Sequence, residues 1–560
     1  MTGRAVASVL VAVGSIFAAC GGRSPLEAES GPEAAAAGGS VSGGASIGGS
    51  AGSVIGGSGA GGAGASNAGR GGGGASDGGA EGGANNGGSG GSAGAGTGAG
   101  GTAGDTGGSG AVAGMAGGAA QAGTAGSAGT GGDTGLPKPA FRLVGTPLIY
   151  NPGATGFSLN AVLQWGSPSA LRAYVYPSDG GGRREVVEPA FPADDSISWR
   201  VEGLEPGTRY AYEVTGTDEE AERVLYRGEA TTQRAPGDEF TVALITDSHI
   251  QPRELPEDDI GANYMELVLE QVAGQVRADA PDFIINLGDL LDYHAFGFNP
   301  PPPDPSWSRL AYLTYRRFLH DALGHAAHFP VIGNWDGESG CNTAEEIERS
   351  RSQRLLYSPG PMPGTYPEGA SPHGDYYAFT WGDALFVVLN VMTYTPTCHL
   401  LSANPGLADD WTLGDAQLEW LRTTLENATS KWRFTFIHHT VGGNGGNPTD
   451  SAYGRGGGRA AYVGEQALIH ELLLEHGVQI FFYGHDHVFE DMVVDGVHYT
   501  LPGSAGAPWK FSEYETGYED YWVESGHARL NVGPEQVRVD FVSSEGTTLH
   551  SYTLDGTPEG

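Results

Sequence analysis

The sequence predicts an α/β fold: a layered sandwich over residues 237–560, preceded by a small all-β unit and a long glycine-rich segment. Three observations carry this. From residue 240 onward, strand-like apolar runs recur with little polar alternation, the habit of strands buried on both faces. Between them NYMELVLEQVAGQV, AQLEWLRTTLENA and EQALIHELLLEHG show apolar residues at helical spacing. Each apolar run then stops abruptly at Asp, Asn or His.

Residues 1–20 hold a positive start at Arg4, an apolar stretch from Ala5 to Phe17, and the small residues Ala18 and Ala19 before Cys20, which reads as an export signal. FAAC resembles a bacterial lipobox with Phe17 where Leu is usual, and the resemblance implies a lipid on Cys20. An ordinary cleaved signal is the alternative. The apolar stretch is too short for a membrane span, so membrane contact is expected only through the anchor. Residues 21–136 are Gly, Ala and Ser with scattered Thr, and hold about half of the 96 glycines. Such a segment has too little apolar side chain to form a core and is expected to be a flexible coil spanning on the order of 60 Å. That length suits a tether.

Residues 137–236 alternate in short segments, SLNAVLQW, LRAYVYP, ISWRVEGL and TRYAYEVTG, separated by turn residues, the pattern of a small β-sandwich. GLEPGTRYAYEV, with Leu204, Pro206, Thr208, Tyr210 and Tyr212, resembles a fibronectin type III domain. Packing and spacing are its expected roles.

The 237–560 region carries the chemistry. FTVALITDSH places Asp247 and His249 just past a strand; PDFIINLGDLLD does the same for Asp289, HFPVIGNWD for Asn334, WRFTFIHH for His438 and His439, and VQIFFYGHDH for His485 and His487. Ligand crevices in open α/β sheets lie at the carboxyl ends of the strands, so these polar ends should meet. Four imidazoles (His249, His438, His485, His487), two carboxylates (Asp247, Asp289) and the Asn334 amide suit two adjacent first-row metal ions, with Asp289 placed to bridge them. Such a pair can lower the pKa of a bound water and clamp an oxyanion for in-line displacement, which makes phosphate esters the natural substrates. HYTLPGSAGAPW, ARLNVGPEQVRVDFVSS and LHSYTL read as closing antiparallel strands.

DSH at 247, GDLLD at 288, GNWD at 333, HH at 438 and GHDH at 484, in that order, resemble the calcineurin-like metallophosphoesterase superfamily. With a fibronectin-like unit in front, the chain is similar to the purple acid phosphatases. The resemblance implies a four-layer α/β/β/α sandwich. It implies that Asp247, His249 and His487 hold one ion, that Asn334, His438 and His485 hold the other, and that Asp289 bridges them.

Two departures qualify it. Purple acid phosphatases have a metal-binding Tyr three residues after the bridging Asp; here that position is Asp292, with Tyr293 one later, so divalent Mn, Zn or Fe is expected instead of a ferric tyrosinate. GNWD replaces the usual GNHD or GNHE, and Trp335 donates one indole hydrogen bond but transfers no proton. Candidate proton donors are His439, His294 and His399.

Composition narrows the alternatives. With 66 acidic against 29 basic residues, the chain lacks the clustered Lys and Arg of a nucleic-acid clamp. Cys341 and Cys398 form an even pair once Cys20 is set aside, either a disulfide worth about 4 kcal/mol by loop closure or two separate thiols. Residues 441–462, with Asn444, Arg455 and Arg459, read as a lip beside the site or a surface loop; 296–307 read as a pocket wall or a spanning segment. The expected function is hydrolysis of phosphate mono- or diesters by an exported enzyme whose binuclear centre binds hydroxide. The alternative is a surface metal- or phosphate-binding protein with little or no turnover, given Trp335.

Overall fold

The computed structural model describes residues 140–556, apart from 179, 219–220, 253–262, 293–305, 340–341, 395–411, 439–464 and 508–519. The export signal, the glycine-rich segment, Tyr293, His294, Cys341, Cys398, His399, His439 and residues 441–462 lie outside the described residues. So does all of 296–307 except its last two residues.

The N-terminal β unit holds β1 (Arg142–Leu143), β2 (Leu148–Gly153), β3 (Gly156–Trp165), β4 (Leu171–Pro177), β5 (Arg184–Val186), β6 (Ala190–Ala193), β7 (Ser196–Glu202), β8 (Arg209–Thr217) and β9 (Glu222–Thr231). The region that follows opens with β10 (Phe240–Ile245), α1 (Tyr264–Asp279), β11 (Phe283–Asn286), α2 (Ser306–Leu323), β12 (Ala327–Pro330) and α3 (Ala344–Tyr357). It continues through β13 (Tyr377–Trp381), β14 (Ala384–Val388), α4 (Gly414–Glu426), β15 (Trp432–Phe436), α5 (Glu465–Glu475) and β16 (Ile480–Phe482). It closes with β17 (Phe489–Val494), β18 (Val497–Pro502), β19 (Asp520–Trp522), β20 (Gly526–Val532), β21 (Gln536–Ser543) and β22 (Thr548–Asp555).

Two large sheets face each other. The first runs β22-β21-β20-β10-β11-β12-β2-β3-β7-β6, with β1 on β3, and the second runs β13-β14-β15-β16-β18-β17-β19. At the heart of each the strands are parallel: β10, β11 and β12 in one, β14, β15 and β16 in the other. The continuous apolar runs now have a physical account. Val242 and Leu244 point into the core between the sheets, while Ala243 and Ile245 point outward beneath α1 and α2. In β16, Ile480 and Phe482 face inward and Phe481 faces α5. Helices therefore cover both outer faces, and the order of layers is α/β/β/α.

Stacked phenylalanines fill the space between the sheets. Phe329, Phe379, Phe386, Phe436 and Phe482 lie in successive near-parallel pairs 4.2, 5.1, 5.7 and 5.1 Å apart. Offset aromatic packing of this kind adds roughly 0.5–1.5 kcal/mol per pair beyond area burial, and the Phe329–Phe379 pair joins one sheet to the other.

The N-terminal β unit is joined to this body by hydrogen-bonded strands. β2 pairs in parallel with β12 through Ile149 and Ala327, so β2, β3, β7 and β6 prolong the first sheet. A third, four-stranded sheet, β5-β4-β8-β9, packs over them through Ala173, Val175, Tyr212 and Val214. Tyr210 accepts a hydrogen bond from the Glu205 N–H. The fully buried Arg316 of α2 donates to Asn160 Oδ1 and to the carbonyls of Asn160, Thr146 and Tyr357. Tyr212 donates to the Gly324 carbonyl at 2.9 Å. No helix among the described residues is long and apolar enough to cross a membrane.

Candidate metal centre

The parallel strands of both sheets end at one place. Asp247 follows β10, Asp289 follows β11, Asn334 follows β12, His438 follows β15, and His485 and His487 follow β16. Two groups result: ligand-type atoms of Asp247, His249, Asp289 and His487 lie within 4.8 Å of one another, as do those of Asp289, His438 and His485. All are buried, His485 most exposed at 7%.

Backbone shape aims these side chains. Among the described residues nine non-glycines have positive φ, and five of them are Asp247 (53°), His249 (48°), Asp289 (48°), His485 (79°) and His487 (58°). A left-handed L-residue costs roughly 1–2 kcal/mol, and such outliers concentrate where a site demands them. Past β10 the backbone at Asp247 and His249 runs on beside residues 288–291, with the Asp247 and His249 N–H groups donating to the Gly288 and Asp289 carbonyls, and both side chains reach the same group.

Close approach of the loops needs glycine at two positions. A Cβ on Gly333 would lie 2.2 Å from both N and Oδ1 of Asp289, and one on Gly288 would lie 2.7 Å from the Gly333 nitrogen.

Hydrogen bonds then orient Asp247, Asp289 and His438. Asp247 Oδ2 accepts from Thr246 Oγ1 at 2.7 Å and from the His485 N–H at 3.0 Å, while its buried Oδ1 accepts no hydrogen bond among the described residues. Asp289 Oδ1 accepts from the Trp335 N–H at 2.7 Å. Its Oδ2 lies 3.1 Å from His438 Nε2 and 3.6 Å from His249 Nε2, between the two groups. His438 Nδ1 sits 2.8 Å from the Leu287 carbonyl, which fixes the tautomer and turns Nε2 inward. His249 Nε2 and His487 Nε2 are 3.1 Å apart, and His487 Nε2 is 3.2 Å from Asp247 Oδ1. Ligand atoms about 2.1 Å from a common ion stand roughly 3.0–3.5 Å from each other, so this spacing fits cations.

The electrostatics agree. Burial alone would raise the Asp247 carboxyl, but the His487 charge and contacts from His249 and His487 hold it well below the ordinary carboxylate range. Burial disfavours charge on His438 too, yet the Asp289 carboxylate outweighs it and lifts the imidazole to about 9. His249 is likewise raised: burial opposes its charge, and the contact with Asp247 and the charge of Asp289 prevail. A field that draws protons to these nitrogens also draws metal ions, and the two compete for the same lone pairs.

Sequence patterns missed the supporting residues. Asp336 accepts from the Leu291 N–H at 2.9 Å and the Gly333 N–H at 2.8 Å, tying the GDLLD and GNWD loops together. Burial, then the Asp289 charge, push its carboxyl up to about 7 against those two bonds. Its place at the end of GNWD was the available signal. Asp292 is buried, accepts from Gln251 Nε2 at 3.0 Å, and belongs to neither ligand group.

Two facing sheets between helical layers, with paired Asp and His groups at converging strand ends, define a metallophosphoesterase, a class of hydrolase. Residues 240–489 match the model of the calcineurin-like phosphoesterase family, and this domain belongs to that family. Among solved structures, that of PhoD aligns with a TM-score of 0.54 at 14% identity, over 74% of this chain and 90% of its own. A purple acid phosphatase, PPD1 from yellow lupin (Lupinus luteus) seeds, aligns with a TM-score of 0.53 at 12% identity, over 73% of this chain and 74% of its own. At these identities the likeness is one of fold. A search of curated protein sequences found no match.

Proposed function

We propose that the chain is an exported, metal-dependent phosphoesterase that hydrolyses phosphate mono- or diesters at a two-ion centre. The observation that carries this is the position of Asp289 Oδ2, held between His438 and His249 while Oδ1 is fixed by the Trp335 N–H. One carboxylate oxygen thus serves both groups. Asp247, His249 and His487 would hold the first ion with Asp289, and His438, His485 and Asn334 would hold the second. Divalent Mn, Zn or Fe suits this mixture of imidazole and oxygen ligands, and Asp292 in place of a tyrosine argues against a ferric tyrosinate.

When bound, the ions supply Lewis acidity: activation of water near neutral pH and neutralisation of charge on the phosphoryl oxygens. The protein residues supply the rest. Asp289 sets the separation of the two positions, and the buried loops around Asp247 and Asp336 keep the ligands dry and fixed. His439, directly after a ligand, and His294, five residues beyond Asp289, are the candidate donors of the proton that the leaving group needs. The flanking parts complete the reading: residues 1–20 direct export, Cys20 carries a lipid, 21–136 form the tether, and 137–236 form a fibronectin-like unit fixed to the 237–560 catalytic region.

Metal analysis of the full chain, with assays on aryl phosphate mono- and diesters, tests the proposal. About two ions per chain and chelator-sensitive hydrolysis are expected; no metal and no turnover would overturn it. A second reading, a surface protein that binds metal or phosphate with little turnover, draws on Trp335. It is favoured by bound metal with no hydrolysis of any ester.

A further inference from the structure

The peptide that joins Leu287 to Gly288, just before Asp289, holds a ligand without being one. Its carbonyl lies 2.8 Å from His438 Nδ1, and its N–H, on the opposite edge of the same plane, donates to Asn286 Oδ1 at 3.1 Å. The peptides on either side are tied to the backbone around β10 and β12. The Asn286 carbonyl accepts from the Val331 N–H at 2.7 Å, the Leu287 N–H donates to the Ile245 carbonyl at 2.8 Å, and the Gly288 carbonyl accepts from the Asp247 N–H at 3.0 Å. The plane between them is held by side chains, His438 on one edge and Asn286 on the other. Gly288 has φ 99° and no Cβ, so sterics resist rotation of that plane only weakly and the hydrogen bonds decide its direction.

Asn286 is itself fixed from behind. It is 1% exposed at the end of β11, and its Nδ2 donates to the hydroxyl of Tyr315 on α2 at 2.8 Å. The same hydroxyl lies 3.3 Å from Nε2 of the buried His328 on β12. Burial pushes the Tyr315 hydroxyl up, so it keeps its proton, and burial with Arg316 nearby pushes His328 down to about 3, so the imidazole is neutral. The hydroxyl thus accepts from Asn286 and has its own proton to give to His328. A reversed Asn286 amide would set its NH2 against the Gly288 N–H, so the observed orientation is the one that satisfies both ends.

We propose that Asn286 and Tyr315 are positioning residues for the ion site at His438: Asn286 locks the Leu287–Gly288 peptide with its carbonyl on His438 Nδ1, and Tyr315 holds Asn286 in that pose, so that Nε2 is presented to the cation. The inference rests on the two-ion reading above and bears on one of its two positions. Neither residue touches an ion or a substrate. Both act through an imidazole whose direction and tautomer they set, the service that partners behind a metal-binding histidine perform.

The test titrates the metal-stripped full chain with Zn2+ by calorimetry, and the step lost in His438→Ala identifies the position concerned. Asn286→Ala should weaken that step by roughly 3- to 10-fold, the value of one neutral hydrogen bond, and leave the other unchanged. Asn286→Ser, whose hydroxyl can accept from the N–H two residues on, should recover most of the loss, which separates holding the peptide from filling space. Tyr315→Phe should weaken the same step in the wild-type background and have no further effect in Asn286→Ala, because the two residues act in series. An unchanged step in Asn286→Ala, equal losses at both steps, or a serine no better than alanine would overturn the inference and leave the two-ion centre standing. Should Asn286→Ala fold poorly, Tyr315→Phe decides, since it keeps the ring, and an unaltered His438-dependent step there overturns the inference. A wild type that takes no Zn2+ overturns the proposed function itself.

Discussion

Asp289→Asn isolates the shared ligand with the smallest change of shape. The Trp335 N–H at 2.7 Å forces the new amide to place its oxygen where Oδ1 was, so its NH2 occupies the Oδ2 position and points at both ligand groups. An amide nitrogen carries no available lone pair for a cation, and both positions lose their common oxygen. The consequence is readable as stability. A ligand present at 100 times its Kd stabilises the folded state by about 2.7 kcal/mol, so two ions contribute about 5 kcal/mol. At about 2 °C per kcal/mol for a large domain, the melting temperature of the wild type should rise by about 10 °C on adding metal. For Asp289→Asn the rise should vanish and the metal content should fall from about two ions to none. The metal-free variant should melt lower than the metal-free wild type, because the charge that lifts His438 and His249 is lost, and relief of the field on Asp336 offsets only part of that. Melting curves with and without chelator, together with elemental analysis, check each point. Two ions and a full thermal shift in Asp289→Asn would refute the shared-ligand assignment. Equal losses in Asp292→Asn would make Asp292 a ligand.

Three further predictions follow from other residues. Trp335 offers no transferable proton, so the rate should rise steeply as the leaving-group pKa falls, and Trp335→His should speed alkyl esters more than aryl esters, by up to about 10²-fold; a flat dependence in the wild type, measured across a substrate series, would show that His439 or His294 already supplies the proton. Gly333→Ala puts a methyl carbon 2.2 Å from Asp289 N and Oδ1, and should abolish metal binding at a cost of about 1–3 kcal/mol, read by metal analysis and denaturant melts. His328, buried and close to Arg316, is pushed down to about 3, so the unfolded chain takes up a proton near pH 6.5 that the native state refuses. Its contribution is therefore complete above pH 6.5 and is lost as the pH falls toward 3, by about 2 kcal/mol between pH 6.5 and 5; His328→Gln should flatten the stability profile by about that amount in urea titrations at the two pH values.

What the sequence disclosed depended on whether a local pattern mirrored the tertiary environment. Val242 to Ile245 and Ile480 to Phe482 are apolar at every position because both their faces meet cores, so their burial could be read directly. The convergence of the proposed ligands could be read because each stands where such a run ends. α3 could not: its buried face carries Ser350, Arg351 and Arg354, and Arg354 pairs with Glu338 at 2.6 Å, so its inner side is ionic and has no apolar period. The left-handed backbone at Asp247, His249, Asp289, His485 and His487 had no glycine to announce it. Nor does any periodicity reveal that Ile149 meets Ala327, because pairing across nearly 180 residues leaves no mark within either strand.

That pairing decides how the molecule can be divided. A fragment beginning at residue 237, the natural cut by sequence, would strip β2 from β12 and leave the parallel interior of the first sheet with a bare, flat edge of unsatisfied N–H and C=O groups. Such an edge recruits other chains. It would also leave Arg316 without Asn160 and the Thr146 carbonyl, an interior cation deprived of most of its acceptors. Homologous recombination at that boundary, or expression of the fragment for crystallisation, should yield aggregates. The unit of inheritance and of expression is the whole body from residue 140 onward, and the glycine-rich segment before it is where fusions and truncations belong.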